Sequence, residues 1–249
     1  MIARLQQVDK VYANGVVALR GLDLDVGEGE FLSLLGPSGC GKSTVLRLVA
    51  GLGEVSGGRI EWSGGNGRPG DIGFVFQEPT LMPWATVWKN VLLPLKLRGV
   101  PLEEAEARGR EAIGMVGLDG FEHAYPRELS GGMKMRVSIA RALVTHPRVL
   151  LMDEPFASLD IQTREFMQDE LLKIWQRERK TVIFVTHSID EAIKLSDRVA
   201  IMTPRPGHIE EIKTVDSARP RDMTQPAMVH LAAEVKRWLR QQLFESTPA

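Results

Sequence analysis

The sequence predicts an α/β protein with a mainly parallel sheet, an antiparallel β subdomain and an inserted α-helical subdomain. Three observations carry that expectation. Phe31–Leu35 and Val149–Met152 are short apolar runs of the kind that form strands buried on both faces. Helical stretches at about 162–179 and 188–195 separate the strands expected at 149–153, 181–186 and 198–202, and such alternation favours a parallel sheet. Residues 88–145 contain no convincing strand and read as helix.

The elements follow in order. Residues 2–12 and 22–35 hold short apolar runs separated by Asn14-Gly15 and Gly27–Glu30, the punctuation of strands and turns. After Phe31–Leu35 a glycine-rich turn opens a helix from Lys42 to about Ala50. Further strands are expected at 60–62 and 71–76. The stretch 56–70, rich in glycine and carrying Arg59, Arg68 and Pro69, reads as a solvated hairpin turn rather than a nucleic-acid contact. In the helical insertion, Ala105, Ala112, Ile113 and Val116 recur at largely helical spacing. From residue 204, Pro204, Pro206 and Pro220 precede a charged amphipathic helix near 227–244, a tail too short for a separate sensor domain of ordinary size. The chain, 1–249, thus reads as one domain. Residues 1–87 and 146–215 form the α/β core with its N-terminal β subdomain, 88–145 the helical subdomain and 216–249 a helical tail.

Composition narrows the function. Hydrophobic residues make up 43% and charged residues 25%, with a net charge of −1, so nothing points to nucleic acid or to an electrostatic membrane anchor. No apolar run approaches the roughly 20 residues of a membrane-spanning helix, and the amino terminus has no secretory pattern. Any membrane role has to come through a partner protein. The single cysteine, Cys40, excludes an internal disulfide and suits a reducing cytosol.

Two motifs carry chemistry. Gly36-Pro37-Ser38-Gly39-Cys40-Gly41-Lys42-Ser43 fits G-x-x-x-x-G-K-[ST] between a strand and a helix. Glycines there let successive N–H groups turn inward at phosphate oxygens, and the helix start adds partial positive charge. Lys42 is expected on the β- and γ-phosphates, the Ser43 hydroxyl on Mg²⁺, and Thr44 near the α-phosphate. Cys40, with no resolving cysteine, reads as a small loop filler. The second motif is the apolar run Val149–Met152 ending in Asp153-Glu154. A buried strand would deliver Asp153 to Mg²⁺ and Glu154 to the attacking water as general base.

Between them lies Leu129-Ser130-Gly131-Gly132-Met133, and here the sequence resembles ABC-type (ATP-binding cassette) ATPases among P-loop proteins. The resemblance spans about residues 2–215. It implies a P-loop NTPase core and ATP sandwiched between two cassettes, with Ser130, Gly131 and Gly132 of one chain facing the γ-phosphate held by the other. Met133 and Met135 stand where the family most often has Gln, and a thioether donates no hydrogen bond. Tyr12 resembles the aromatic that stacks on adenine, with a core tyrosine as the competing reading. Gln77 resembles the residue that senses Mg²⁺ and water, Ser158-Leu159-Asp160 the segment that crosses the dimer interface, and His187 the histidine on the γ-phosphate.

Leu81, Met82, Trp84 and Trp88 lie close together between prolines; they plug the junction with the helical subdomain, or receive a helix of a membrane partner, or both. The segments Leu81–Val91 and Asp153–Asp160 are similar to ATPases of nitrate, sulfonate and taurine importers, and importers of pyrimidine precursors look much alike. That likeness implies transmembrane permease subunits, an extracytoplasmic substrate-binding protein reached indirectly, and a peripheral place on the cytoplasmic face of the inner membrane. The alternative is a soluble ABC ATPase of DNA repair, cluster assembly or translation. Its usual tandem cassettes, zinc cysteines and charged linkers are not found in this sequence.

Overall fold

The computed structural model describes residues 1–63 and 72–245. In chain order its elements are β1 (Ala3–Val11), β2 (Val17–Val26), β3 (Phe31–Leu35), α1 (Lys42–Val49), β4 (Gly57–Trp62), β5 (Ile72–Val75), α2 (Val87–Leu97), α3 (Leu102–Met115), α4 (Gly131–Leu143), β6 (Val149–Asp153), α5 (Ile161–Glu178), β7 (Thr181–Thr186), α6 (Ile189–Leu195), β8 (Arg198–Met202), β9 (Ile209–Thr214) and α7 (Pro226–Glu245). They fall into two units, residues 1–69 with 181–249, and residues 70–180.

In the first unit β7, β3 and β8 run parallel, with Leu35 opposite Thr186 and Leu34 opposite Ala200. Every residue of β3 and β7 is buried, as strands covered on both faces are. Phe31 and Phe184 meet across them with ring centroids 5.9 Å apart. β9 closes this edge antiparallel to β8. Sequence patterning does not signal it, because Glu210, Glu211 and Lys213 give it the charged character of an edge strand. An antiparallel sheet ordered β2-β1-β4 forms the β subdomain.

β2 begins at Val17, five residues before the expected run at 22. Register shifts along β1 and β2 break the alternation that would have marked it. The solvated turn expected at 56–70 is corrected in part. Residues 57–62 form β4, and its Gly58 lies so close to β1 that a Cβ would stand 2.1 Å from the Gln7 carbonyl oxygen. Residues 64–70, with Arg68 and Pro69, lie outside the described residues, as does residue 71 of the strand expected at 71–76. The tail helix α7 inserts Met228 and Val235 into a cluster with Leu35, Ile193 and Ile201.

In the second unit β5 and β6 pair in parallel, Ile72 opposite Val149 and Val75 opposite Met152. All of β6 is buried. Helices α2, α3 and α4 pack on one another, and α2 approaches Gly109 of α3 so closely that a Cβ there would meet Leu92 Cδ2 at 2.6 Å. Each helix that opens after a polar residue is capped by it: Thr86 Oγ1 accepts from Lys89 N, Ser130 Oγ from Met133 N and Asp160 Oδ1 from Thr163 N.

Candidate active site

The first unit builds an anion cradle. Gly36 to Gly41 leave the end of β3, with Gly39 and Gly41 at φ 77° and 107°, in the region that favours glycine. Gly41 also has no room for a side chain, since a Cβ would lie 2.7 Å from Leu19 Cδ2. Helix α1 starts directly at Lys42, and no side chain caps it. Its N-cap residue, Gly41, has no side chain to accept from the first turn, in contrast to the capped helices of the other unit, and such a helix start suits an anion. Lys42 is only 5% exposed, and its Nζ donates to the carbonyl oxygens of Gly36 (2.7 Å) and Pro37 (3.0 Å). Ser43 and Thr44 follow on the first turn, half-buried, while Ser38 is exposed.

Tyr12 joins this cradle. It is 39% exposed rather than a core residue, and its hydroxyl lies 3.0 Å from Thr44 Oγ1. His187 follows Thr186 directly, and because Thr186 is the register partner of Leu35, His187 and Gly36 leave the sheet at the same edge. Cys40 is fully buried, and burial pushes its thiol pKa up, as befits a filler rather than a reactive group.

Sequence reading passed over one part of the cradle. The hairpin between β8 and β9 presses on the loop from behind: Arg205 Nε and Nη2 donate to the Gly39 carbonyl at 3.2 and 3.1 Å. Gly207 sits so close that a Cβ would fall 2.0 Å from the Cys40 carbonyl oxygen. Pro204-Arg205-Pro206-Gly207 was the available signal, a rigid turn that reads as the start of the tail.

The second unit gathers the acids and the signature. Val75 and Met152 are register partners, so Gln77 and Asp153-Glu154 emerge at one edge of the β5–β6 pair. Asp153 closes β6 and is 8% exposed. Glu154 is half-buried and takes φ 45°, a left-handed backbone that non-glycine residues rarely adopt and that costs about 1–3 kcal/mol. Nothing in the sequence signals that strain. Ser130, Gly131 and Gly132 open α4 beside the turn that starts α5; a Cβ on Gly132 would meet Thr163 Cγ2 at 2.9 Å and Leu159 Cδ2 at 3.7 Å. The signature and Asp160 thus share one surface of this unit. Asp160 is held below the usual carboxylate range by the Thr163 main-chain N–H. Ser130 spends an acceptor lone pair on its cap, and its hydroxyl proton remains to be donated.

The aromatic stretch after Gln77 divides. Trp88 faces Gly109 of α3, whose Cβ would lie 3.2 Å from its ring, so it serves as a plug. Trp84 is 75% exposed. The buried Asn90 accepts from Met82 N (2.8 Å) and donates to the carbonyls of Met82, Ala85 and Thr86, which fixes the segment on α2. In the same unit a groove of about 350 Å³ is lined by Phe74, Phe76, Leu93, Leu97 and Arg141 among others. Among the described residues no helix is long and apolar enough to cross a membrane.

A glycine cradle after a buried parallel strand, with lysine folded into it and a helix that starts without a side-chain cap, defines a P-loop nucleotide hydrolase. Within that class the chain belongs to the ABC transporter family, which matches residues 19–157. It is 49% identical over 247 residues to an uncharacterized ABC transporter ATP-binding protein of Methanocaldococcus jannaschii, covering 98% of this chain and 92% of the relative. It is 43% identical over 245 residues to the nitrate import ATP-binding protein NrtD of a Synechocystis strain, covering 94% and 92%. Among solved structures it resembles a dimeric ATP-binding cassette in a post-hydrolysis state bound to ADP and Pi, with a TM-score of 0.77 at 34% identity, covering 87% of this chain and all of that one. The chain is an ATP-hydrolysing subunit of an ABC transporter, and the soluble alternative is not favoured.

Proposed function

We propose that two copies of this chain close on two ATP molecules and drive a small-anion importer of the nitrate, sulfonate and taurine kind, or of related pyrimidine precursors. The observation that carries the nucleotide reading is the uncapped start of α1, with Lys42 turned into the loop and the Tyr12 hydroxyl resting on Thr44. Tyr12 stacks on adenine. Main-chain N–H groups of Gly36 and of Ser38–Thr44, including those of Gly39, Cys40 and Gly41, surround the phosphates. Lys42 exchanges its two carbonyl partners for β- and γ-phosphate oxygens. Ser130, Gly131, Gly132 and Asp160 of the opposing copy close the sandwich. The cassette works as one domain with its helical subdomain at 88–145.

Ser43, Asp153 and Gln77 supply a hydroxyl, a carboxylate and an amide oxygen, a hard-oxygen donor set that suits Mg²⁺. When bound, the ion neutralises charge on the β- and γ-phosphate oxygens. Glu154 takes the proton of the attacking water, a contribution of about 10²–10⁴-fold for a placed general base. His187 donates to the γ-phosphate. The nitrate importer among the relatives supports the cargo class. Exposed Trp84 and the groove lined by Phe74, Leu93 and Leu97 support docking of a permease helix at the cytoplasmic face of the membrane, with a substrate-binding protein acting on the far side.

The test is the mass in solution of the Glu154→Gln variant. An ATP-dependent dimer that Ser130→Arg abolishes is expected. A chain that shows no stabilisation at saturating MgATP, where about 2.7 kcal/mol is due at 100 times Kd, would overturn the nucleotide reading itself.

A further inference from the structure

Helix α6 is gripped at both ends, and only one grip belongs to the catalytic loop. At its end, Arg221 is 6% exposed, and its Nη1 donates to the carbonyls of Ile193 (2.7 Å) and Ser196 (2.5 Å). Its Nη2 reaches the Val215 carbonyl at 2.9 Å and its Nε the Ser217 carbonyl at 3.0 Å. Arg219 takes the Leu195 carbonyl at 2.8 Å and Asp197 Oδ1 at 2.7 Å. Burial, with Arg219 adjacent, lowers the pKa of Arg221 to about 10, so it stays cationic at neutral pH. A buried cation held by main-chain carbonyl oxygens is an expensive way to tie down a tail, and it fixes that helix end in one place.

The start of α6 is fixed by the residues on either side of His187. Ser188 N donates to Thr186 Oγ1 (2.9 Å), and Thr186 Oγ1 donates to Glu191 Oε2 (2.6 Å). Glu191 N returns a hydrogen bond to Ser188 Oγ at 3.3 Å. Thr186 and Glu191 are both buried. Between the two grips lie 7 helical residues, about 10 Å at the usual helical rise. Their buried side chains Ala192 and Ile193 pack in the cluster that receives Met228 and Val235 of α7. No flexible segment separates the arginine clamp from the histidine.

We propose that Arg221 is a positioning residue for hydrolysis: it locks the far end of α6, and α6 carries that placement to His187. The chain segment that leads into α7 thereby holds the histidine in register with the phosphate loop, and whatever loosens the tail slows the chemical step without emptying the cradle. The inference rests on the reading of His187 as the γ-phosphate contact.

The test uses the full chain with isotope-labelled histidine, following the His187 ring resonances beside ATP turnover. Arg221→Lys keeps the charge but loses the planar fork. It is expected to shift those resonances and to lower kcat by about tenfold, within the ~10²-fold that misplacing a group by about 1 Å brings. The KM for ATP should stay within about twofold, and in a His187→Ala background the same substitution should slow turnover by less than about twofold, because groups acting as a unit are not additive. Arg219→Lys, which loosens the same helix end with Arg221 in place, should move the ring resonances less and in the same direction. Unshifted resonances in both variants, or a full tenfold loss persisting without the imidazole, overturn the positioning role while leaving His187 in its place. Wild-type turnover in His187→Ala alone would instead remove the role of the histidine, and the inference with it.

Discussion

Alanine at Gly207 would drive a methyl group into the back of the phosphate loop. The ideal Cβ falls 2.0 Å from the Cys40 carbonyl oxygen and 3.1 Å from Met202 Cε. Ordinary contacts begin near 3.5 Å, so hairpin and loop have to separate by about 1.5 Å. The hairpin has little freedom to retreat. Gly207 N donates to the Ala18 carbonyl at 2.9 Å, the Gly207 carbonyl accepts from Arg20 N at 3.2 Å, and Arg205 holds the Gly39 carbonyl. The displacement therefore falls on Gly39–Gly41, where the N–H groups of the cradle lie. Overpacking of this kind costs about 1–3 kcal/mol. If the whole of that appears in the fit of the loop to phosphate, ATP affinity drops by roughly five- to 150-fold. Titration of the full chain with a fluorescent ATP analogue, alongside urea unfolding, reads both quantities. A Kd within about twofold of the parent in a chain destabilised by ~1–3 kcal/mol would refute the reasoning, because the strain would then have been absorbed away from the loop.

Other expectations follow from the same geometry. Lys42→Ala should erase most of the nucleotide-dependent rise in thermal stability, about 2.7 kcal/mol at 100 times Kd in the parent, as scanning calorimetry with and without MgATP would show. Trp84→Ala should leave the melting temperature nearly unchanged and weaken copurification with the permease. Trp88→Ala, which opens the contact with Gly109, should destabilise the chain by about half of the 3–5 kcal/mol typical of a fully buried aromatic. Cys40 keeps its proton in the folded chain at pH values where the unfolded thiol, near 8.5, has lost it. The folded state then binds more protons, so stability falls as pH rises through and above about 8.5. Denaturation of the parent and of Cys40→Ser across pH 7 to 10 should show that slope in the parent alone.

The phosphate loop, the acidic strand end and the signature were legible because each is a contiguous run whose chemistry needs those residue types at that spacing. Phe31–Leu35 and Val149–Asp153 also announced themselves, since a strand buried on both faces has no polar residues to blur it. What stayed hidden depends on contacts distant in sequence. β9 is an edge strand, and its charged residues Glu210, Glu211 and Lys213 resemble those of a solvated tail. Arg205 meets Gly39 across 166 residues, and Arg221 meets Ile193 across 28, with no local pattern to betray either. The left-handed backbone of Glu154 is invisible for a different reason: a strained conformation is held by its surroundings, not by its own propensity.

Ser130 and Asp160 each accept a main-chain hydrogen bond that starts a helix, and each is also assigned to the face that meets the second cassette. Loss of such a cap removes about 1 kcal/mol of stability. A library of variants sorted by cellular abundance would therefore flag both positions, and would do so for a reason unrelated to ATP. Sorting the same library by transport would flag them again. Only the difference between the two maps isolates what these residues do for turnover, and alanine is the wrong letter to read it with. At Ser130, threonine would keep the cap acceptor and test the cradle through the bulk of one added methyl group.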